Sequence, residues 1–237
     1  MISSSEKELL ILAEDSDPSA EWAVHYLKKL DFCRVRLVTH GQLASAKNWV
    51  HRVNKNSATF NGVLSNGTPL FRDQTTGGIN RLKQIPFKLE HPVDDQDYDY
   101  AVHEMTTFFV SALEAMPGAW INAAGPRSIA GNWRSKQEWH ILAARAGLKT
   151  YRLSLDDLYP PEKESSLIVY QGKTYGGEYP PEVKEQCIRL ANLTGHTMLG
   201  ISLEPTIEGW FFNGAAPIPD LETGGVPLLA DIAKNVL

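Results

Sequence analysis

A chain of 237 residues, 43% hydrophobic and 22% charged, has an ordinary globular make-up and is long enough for one large domain or two small ones. A formal net charge of -5 without a long basic run argues against non-specific nucleic-acid binding. Apolar runs fall well short of the roughly 20 residues of a membrane helix. Residues 1–7 lack a signal-type pattern, and the distant Cys33 and Cys187 fit buried reduced thiols in a cytoplasmic protein rather than metal ligands.

Leu9 to Ala13 is an apolar run that predicts a buried first strand. Asp17-Pro18-Ser19 supplies a helix start, and the helix should run from Ala20 to Lys29. Val35, Leu37 and Val38 mark a second strand, which makes a parallel βαβ unit. Gln42 to Val53 reads as another helix. Asn61-Gly62 and Asn66-Gly67 are turn signals around small antiparallel strands, with a further strand from Ile79 to Leu82. Ala101, Met105, Phe108, Phe109, Ala112, Leu113 and Met116 recur at helical spacing, predicting a helix from Tyr98 to Met116 that Pro117-Gly118 ends.

Trp120-Ile121-Asn122 is short and extended, and Ser135 to Ala146 forms a helix closed by Gly147. The polar stretch Tyr151 to Glu164, with Pro160-Pro161, is the linker. Leu167–Tyr170 and Lys173–Tyr175 flank Gln171-Gly172 as a hairpin. A helix follows over Glu182–Leu193, then strands over Met198–Leu203 and Gly209–Phe212, then a terminal helix over Pro227–Val236.

Chemical motifs are sparse. There is no P-loop, no GxSxG elbow, and no HxxxH or HExxH spacing among the seven histidines. Glu204, Glu208, Asp220 and Glu222 are close in sequence but read as turn and loop residues rather than metal ligands. One constellation remains: Gly125, Pro126, Arg127, Gly131, Asn132, Arg134 and Lys136 form a basic loop that enters a helix N-terminus. Guanidinium groups at a helix start make an anion site; capping of the same helix by a solvated loop is the competing structural reading. Trp133 and Trp139 offer stacking surfaces, one of them as a core residue.

Taken in order, these segments resemble the two ends of an ATP-grasp ligase of the type that modifies ribosomal peptides. Asn122 matches the Asn of the family's Trp-x-Asn strand end, and Lys136, Ala143 and Gly147-Leu148 match its following helix. Arg81 and Pro86 loosely match an Arg-and-Pro strand that precedes the long helix. Ser166–Tyr175, the helix after it, Gly200-Ile201 and Thr223-Gly224 resemble the closing lobe. The resemblance implies an α/β fold: a pre-ATP-grasp-like domain with a parallel sheet over 1–150, a linker over 151–166, and a small α+β remnant of an ATP-grasp lobe over 167–237.

The resemblance also shows what this chain lacks. The family's nucleotide-gripping strands lie between these two ends, and Lys149 to Leu167 is too short to hold them. The family's Glu-x-Asn carries magnesium, whereas here Phe211-Phe212-Asn213-Gly214 stands in that place. The expected function is therefore a non-catalytic binding or accessory protein with no cofactor, acting through protein or peptide contacts. Arg81, Asn122, Arg127, Asn132, Arg134 and Lys136 are its candidate ligand residues. A missing subdomain should leave apolar surface at Trp210, Phe211 and the 167–175 hairpin, pointing to a homodimer or to an intact ligase as partner. A ligase with a shortened nucleotide site, using ATP and Mg²⁺, is the alternative. An unrelated α/β enzyme acting on a small anion at the Arg127 loop is a third reading.

Overall fold

The computed structural model describes residues 7–87, 94–125, 128–151 and 166–236. They fall into two compact units, residues 1–131 with 232–237, and residues 132–231.

The first unit contains β1 (Glu8–Ala13), α1 (Pro18–Leu30), β2 (Arg34–Thr39), α2 (His40–Ala44), β3 (Lys47–Val53), β4 (Ala58–Val63), β5 (Thr75–Arg81), α3 (Asp95–Glu114) and β6 (Ala119–Ile121). β2, β1, β5 and β6 form a parallel sheet in that order. All six residues of β1 are buried, as expected of a central parallel strand covered on both faces. Leu10 and Leu12 join Val38, Leu43, Phe60, Leu70, Leu82 and Leu113 in one core cluster. Each such side chain contributes about 1.5–3 kcal/mol by leaving water. α1 begins as the sequence predicts: Asp17 caps it by accepting from Ala20 N, with Pro18 in its first turn.

The helix expected over Gln42–Val53 is instead a five-residue helix, α2, followed by strand β3. The period is two, not 3.6. Trp49 and His51 point toward aromatic rings of the core, while Val50 and Arg52 are exposed. β3 pairs antiparallel with β4 as a separate two-stranded sheet. Asn61-Gly62, expected as a turn, lies inside β4. A Cβ on Gly62 would stand 2.7 Å from the Trp49 ring, so the glycine is there for close packing. Asn66-Gly67 does form a turn.

The second unit contains α4 (Lys136–Ala146), β7 (Lys149–Thr150), β8 (Leu167–Tyr170), β9 (Lys173–Gly176), α5 (Pro181–Thr194), β10 (Met198–Thr206), β11 (Gly209–Ala216), a 3-10 turn (Leu221–Gly224) and the start of α6 (Gly225–Val236). Its mixed sheet has the order β7-β11-β10-β8-β9. The predicted 167–175 hairpin is present, turning through Gln171-Gly172. Trp139, Ala143, Leu148, Leu167, Val169, Leu190, Leu199 and Phe212 share one core. α4 and β7 therefore belong to this unit, and the boundary falls at 131/132 rather than at 150: β7 pairs with β11, a contact invisible in local sequence. The linker expected over 151–166 lies, except at its two ends, outside the described residues.

Candidate functional site

In the first unit, the strands flanking β1 are reached in opposite directions, to β2 on one side and β5 on the other. Open α/β sheets bind ligands at the carboxyl ends of such strands. Glu14, Asp15 and Asp17 follow β1 there, Arg81 ends β5, and Asn122 follows β6. Arg81 is buried and bidentate on Asp17, with Nε donating to Oδ2 at 2.7 Å and Nη2 to Oδ1 at 3.1 Å. Burial by itself would push the Asp17 carboxyl up. The hydrogen bond and charge of Arg81, with the Ala20 amide and Lys83, overcome it and hold the group below its ordinary value. Glu14 accepts from Lys83 N at 2.6 Å, and Asp15 accepts from Gly41 N at 3.0 Å. These carboxylates stitch the loops after β1 and β5 to one another and to the start of α2. Asn122 is buried in the left-handed region at φ 56, which Asn tolerates better than most residues, and its carbonyl accepts from Gly131 N at 3.2 Å. Here Asn122 shapes the turn that follows β6.

In the second unit, Ser135 and Glu138 close a capping box on α4, and Lys136 is its first residue. The helix start thus already carries a carboxylate. Arg134 Nη2 donates to Thr194 O at 3.4 Å, placing its charge at the C-terminal end of α5. His196 Nε2–H donates to the Asn132 carbonyl at 3.1 Å. Burial, and then the charge of Arg134, outweigh that bond and keep the His196 pKa below its ordinary value, so the ring is neutral at pH 7. Arg134 Nε and His196 Nδ1 are buried without a hydrogen-bond partner among the described residues. Trp133 is 61% exposed beside them, while Trp139 is core, as the sequence implied of one of the two.

Five of the six expected ligand residues can therefore be placed. Arg81 and Asn122 stand at the sheet edge of the first unit; Asn132, Arg134 and Lys136 precede or open α4 in the second; Arg127 lies outside the described residues. Sequence reasoning missed Asp17 as the partner of Arg81 and His196 as the partner of Asn132, because each pair is 64 residues apart.

Trp210 and Phe211 are half-buried, the first edge-on to Tyr179 at 4.7 Å and the second against Tyr151 at 4.8 Å. Phe212 and all of β8 are buried, so the open apolar surface expected around them is covered. Glu208 lies in the β10–β11 turn and Asp220 caps the 3-10 turn, as read from sequence. Among the described residues no three His, Cys, Asp or Glu side chains are grouped to hold a metal ion. β11 carries a bulge at Asn213, since Ser202 faces Gly214 while Leu203 faces Phe212. Cys33 and Cys187 are buried free thiols, and burial pushes Cys187 up to about 12.

A parallel sheet leading into this mixed sheet is the fold of ATP-grasp ligases that act on ribosomal peptides, and the chain shares it over nearly its whole length. The RiPP-associated ATP-grasp ligase of Chryseobacterium gregarium, solved with ADP and a leader and core peptide, matches with TM-score 0.68 at 12% identity over 98% of each chain. Macrocyclase MdnC of Microcystis aeruginosa MRC, bound with precursor peptide MdnA, matches at 0.69 and 10% identity, over 97% of this chain and 99% of that one. Ligase PsnB, complexed with precursor peptide PsnA2 and AMPPNP, matches at 0.62 and 14% identity, over 100% and 99%. No family model matches the sequence, and no curated protein does.

Proposed function

We propose that this chain is a non-catalytic, ATP-grasp-derived accessory protein that binds a peptide or protein. Its fold is that of ligases solved with precursor peptides. The observation that carries the non-catalytic part is the connection between β7 and β8: only 151–166 stands where the resemblance puts the nucleotide-gripping strands. A triphosphate needs Mg²⁺ ligands, cationic side chains and backbone N–H groups converging on about four negative charges. Asn213, where the resemblance expects a Glu-x-Asn ligand pair, supports the same reading.

Asn132, Arg134 and Lys136 hold an anionic group of the partner, such as a carboxylate; Arg127, the other basic residue of the sequence motif, lies outside the described residues. The Nε–H of Arg134, buried with no hydrogen-bond partner among the described residues, leaves the guanidinium short of one acceptor, which supports this reading. The Trp210–Phe211 face makes the protein contact, in a homodimer or on an intact ligase.

Titration calorimetry of the full chain tests the central claim. ATP with Mg²⁺ should give no saturable heat. A 1:1, Mg²⁺-dependent isotherm at micromolar Kd would establish the carboxylate–amine ligase reading instead.

A further inference from the structure

β3 is paired on one side only. Among the described residues it hydrogen-bonds to β4 and to no other strand, and beyond the register shift between Lys47 and Val50 its outer edge over Val50–Val53 offers unpaired backbone N–H and C=O groups. The strand is held rigidly from beneath. Trp49 stacks on Phe60 at 5.1 Å and 6° and meets Phe109 edge-on at 5.8 Å. His51 Nδ1–H donates to Thr59 O at 3.1 Å, and its Nε2 accepts from Ser111 Oγ of α3 at 2.9 Å. A strand fixed in this way loses little further entropy when another pairs with it.

The edge also has a charge. The chain is acidic overall, yet residues 32–72 contain Arg34, Arg36, Lys47, Arg52, Lys55 and Arg72 and not one Asp or Glu. Arg36 and Arg72 are engaged by the buried Glu8. Lys47 and Arg52 on β3, and Lys55 in the turn after it, are exposed and form no ion pair among the described residues. α3 packs on the hairpin through Phe108, Phe109 and Ser111, and none of its described carboxylates forms an ion pair with these cations. Between the charges, Val50 and Val53 are 41% and 67% exposed.

We infer that the outer edge of β3 accepts an extended acidic peptide, which adds to the β3–β4 sheet as a third strand. This rests on the peptide-binding reading above and gives it a place and a chemistry. Main-chain pairing supplies attachment; a peptide's alternate side chains fall on opposite faces, where Val53 offers apolar contact on one and Arg52 a carboxylate partner on the other, with Lys47 and Lys55 adding positive charge at the two ends of the strand. A second copy of the chain is a poor occupant, because pairing two β3 edges lines up the same cations along one seam. Nucleic acid would use the charges but leave the alternating strand donors and acceptors unmatched.

The test uses the full chain and a fluorescein-labelled octapeptide of alternating valine and glutamate. Fluorescence anisotropy should show saturable binding, weakened about tenfold or more by the double variant Lys47→Glu, Arg52→Glu and by about 0.5 M salt. N-methylation of alternate peptide amides should abolish it. Amide shifts in NMR should change along Lys47–Val53, a readout independent of any substitution. Circular dichroism should show the double variant folded, as expected for exposed positions. Three results overturn the inference: no saturation up to about 1 mM peptide, equal binding of the lysine-for-glutamate peptide, or tighter binding of oligo-dT than of the peptide, weakened by the same double variant. Peptide binding that the double variant and the β3 amides do not register overturns the location while leaving the peptide-binding function standing.

Discussion

Arg81 shows how tertiary context reassigns a residue. From sequence it is a candidate anion ligand; in the fold it is a buried fork closed on Asp17, which also caps α1. Removing one member of a buried pair leaves an uncompensated charge, at a cost of about 3–5 kcal/mol. Asp17→Asn keeps an oxygen for the Ala20 amide and isolates the charge. Because the folded Asp17 pKa is depressed, its stabilisation is present above the unfolded value of about 3.9 and lost as pH falls through the folded value. Urea denaturation should therefore find Asp17→Asn much less stable at pH 7, with the gap narrowing below about pH 4; a gap independent of pH rejects the pair as its source. Arg134 differs, since its buried Nε–H has no acceptor among the described residues. Sulfate should raise the melting temperature of the wild type, and Arg134→Ala should remove most of that rise. Undiminished stabilisation in the variant would place the anion elsewhere.

At the scale of elements, the misread segment is instructive. Residues 42–53 have enough apolar positions for a helix, and only the inward direction of Trp49 and His51 against the outward Val50 and Arg52 reveals a strand. β5 was anticipated from Ile79, yet it begins at Thr75 and includes Gly77-Gly78, residues with poor strand propensity. Their reason is proximity: a Cβ on Gly78 would fall 1.8 Å from the Leu10 carbonyl of β1. Gly78→Ala must push β5 away from β1, so it should destabilise the first unit by on the order of 3 kcal/mol. Hydrogen exchange should report this as lost protection in β1 and β5, with β8 and β10 unaffected. Native protection in β5 of the variant contradicts the close approach.

At the scale of the whole molecule, the open question is what the chain assembles with. The sequence led to an expectation of broad apolar exposure in the closing lobe. β8 and Phe212 are buried, whereas Trp210 and Phe211 are half-buried. The remaining apolar face is narrower, and a dimer built on it should be weak and concentration-dependent. Light scattering at tens of micromolar should give a mass approaching twice that of the chain, reduced to one chain by Phe211→Asp without loss of secondary structure. A single-chain mass that Phe211→Asp does not alter discards the assembly.

Local chemistry made much of the fold legible. β1, α1, α3, α4, the 167–175 hairpin and the terminal helix follow from apolar periodicity, Asp17 and Ser135 as caps, and Gly147 as a stop, all of which act within a few residues. The order of these pieces was enough to suggest the ATP-grasp ligase fold, which the structural matches bear out. Pairing over long sequence distance decided the rest. The link between β7 and β11 moved the unit boundary, Asp17 took Arg81, His196 took Asn132, and the packing of Trp49 on Phe60 turned a predicted helix into an edge strand. The first three contacts join residues far apart in sequence, so no local window contains them; Trp49 on Phe60 is a hairpin contact, decided by which face the core covers rather than by propensity.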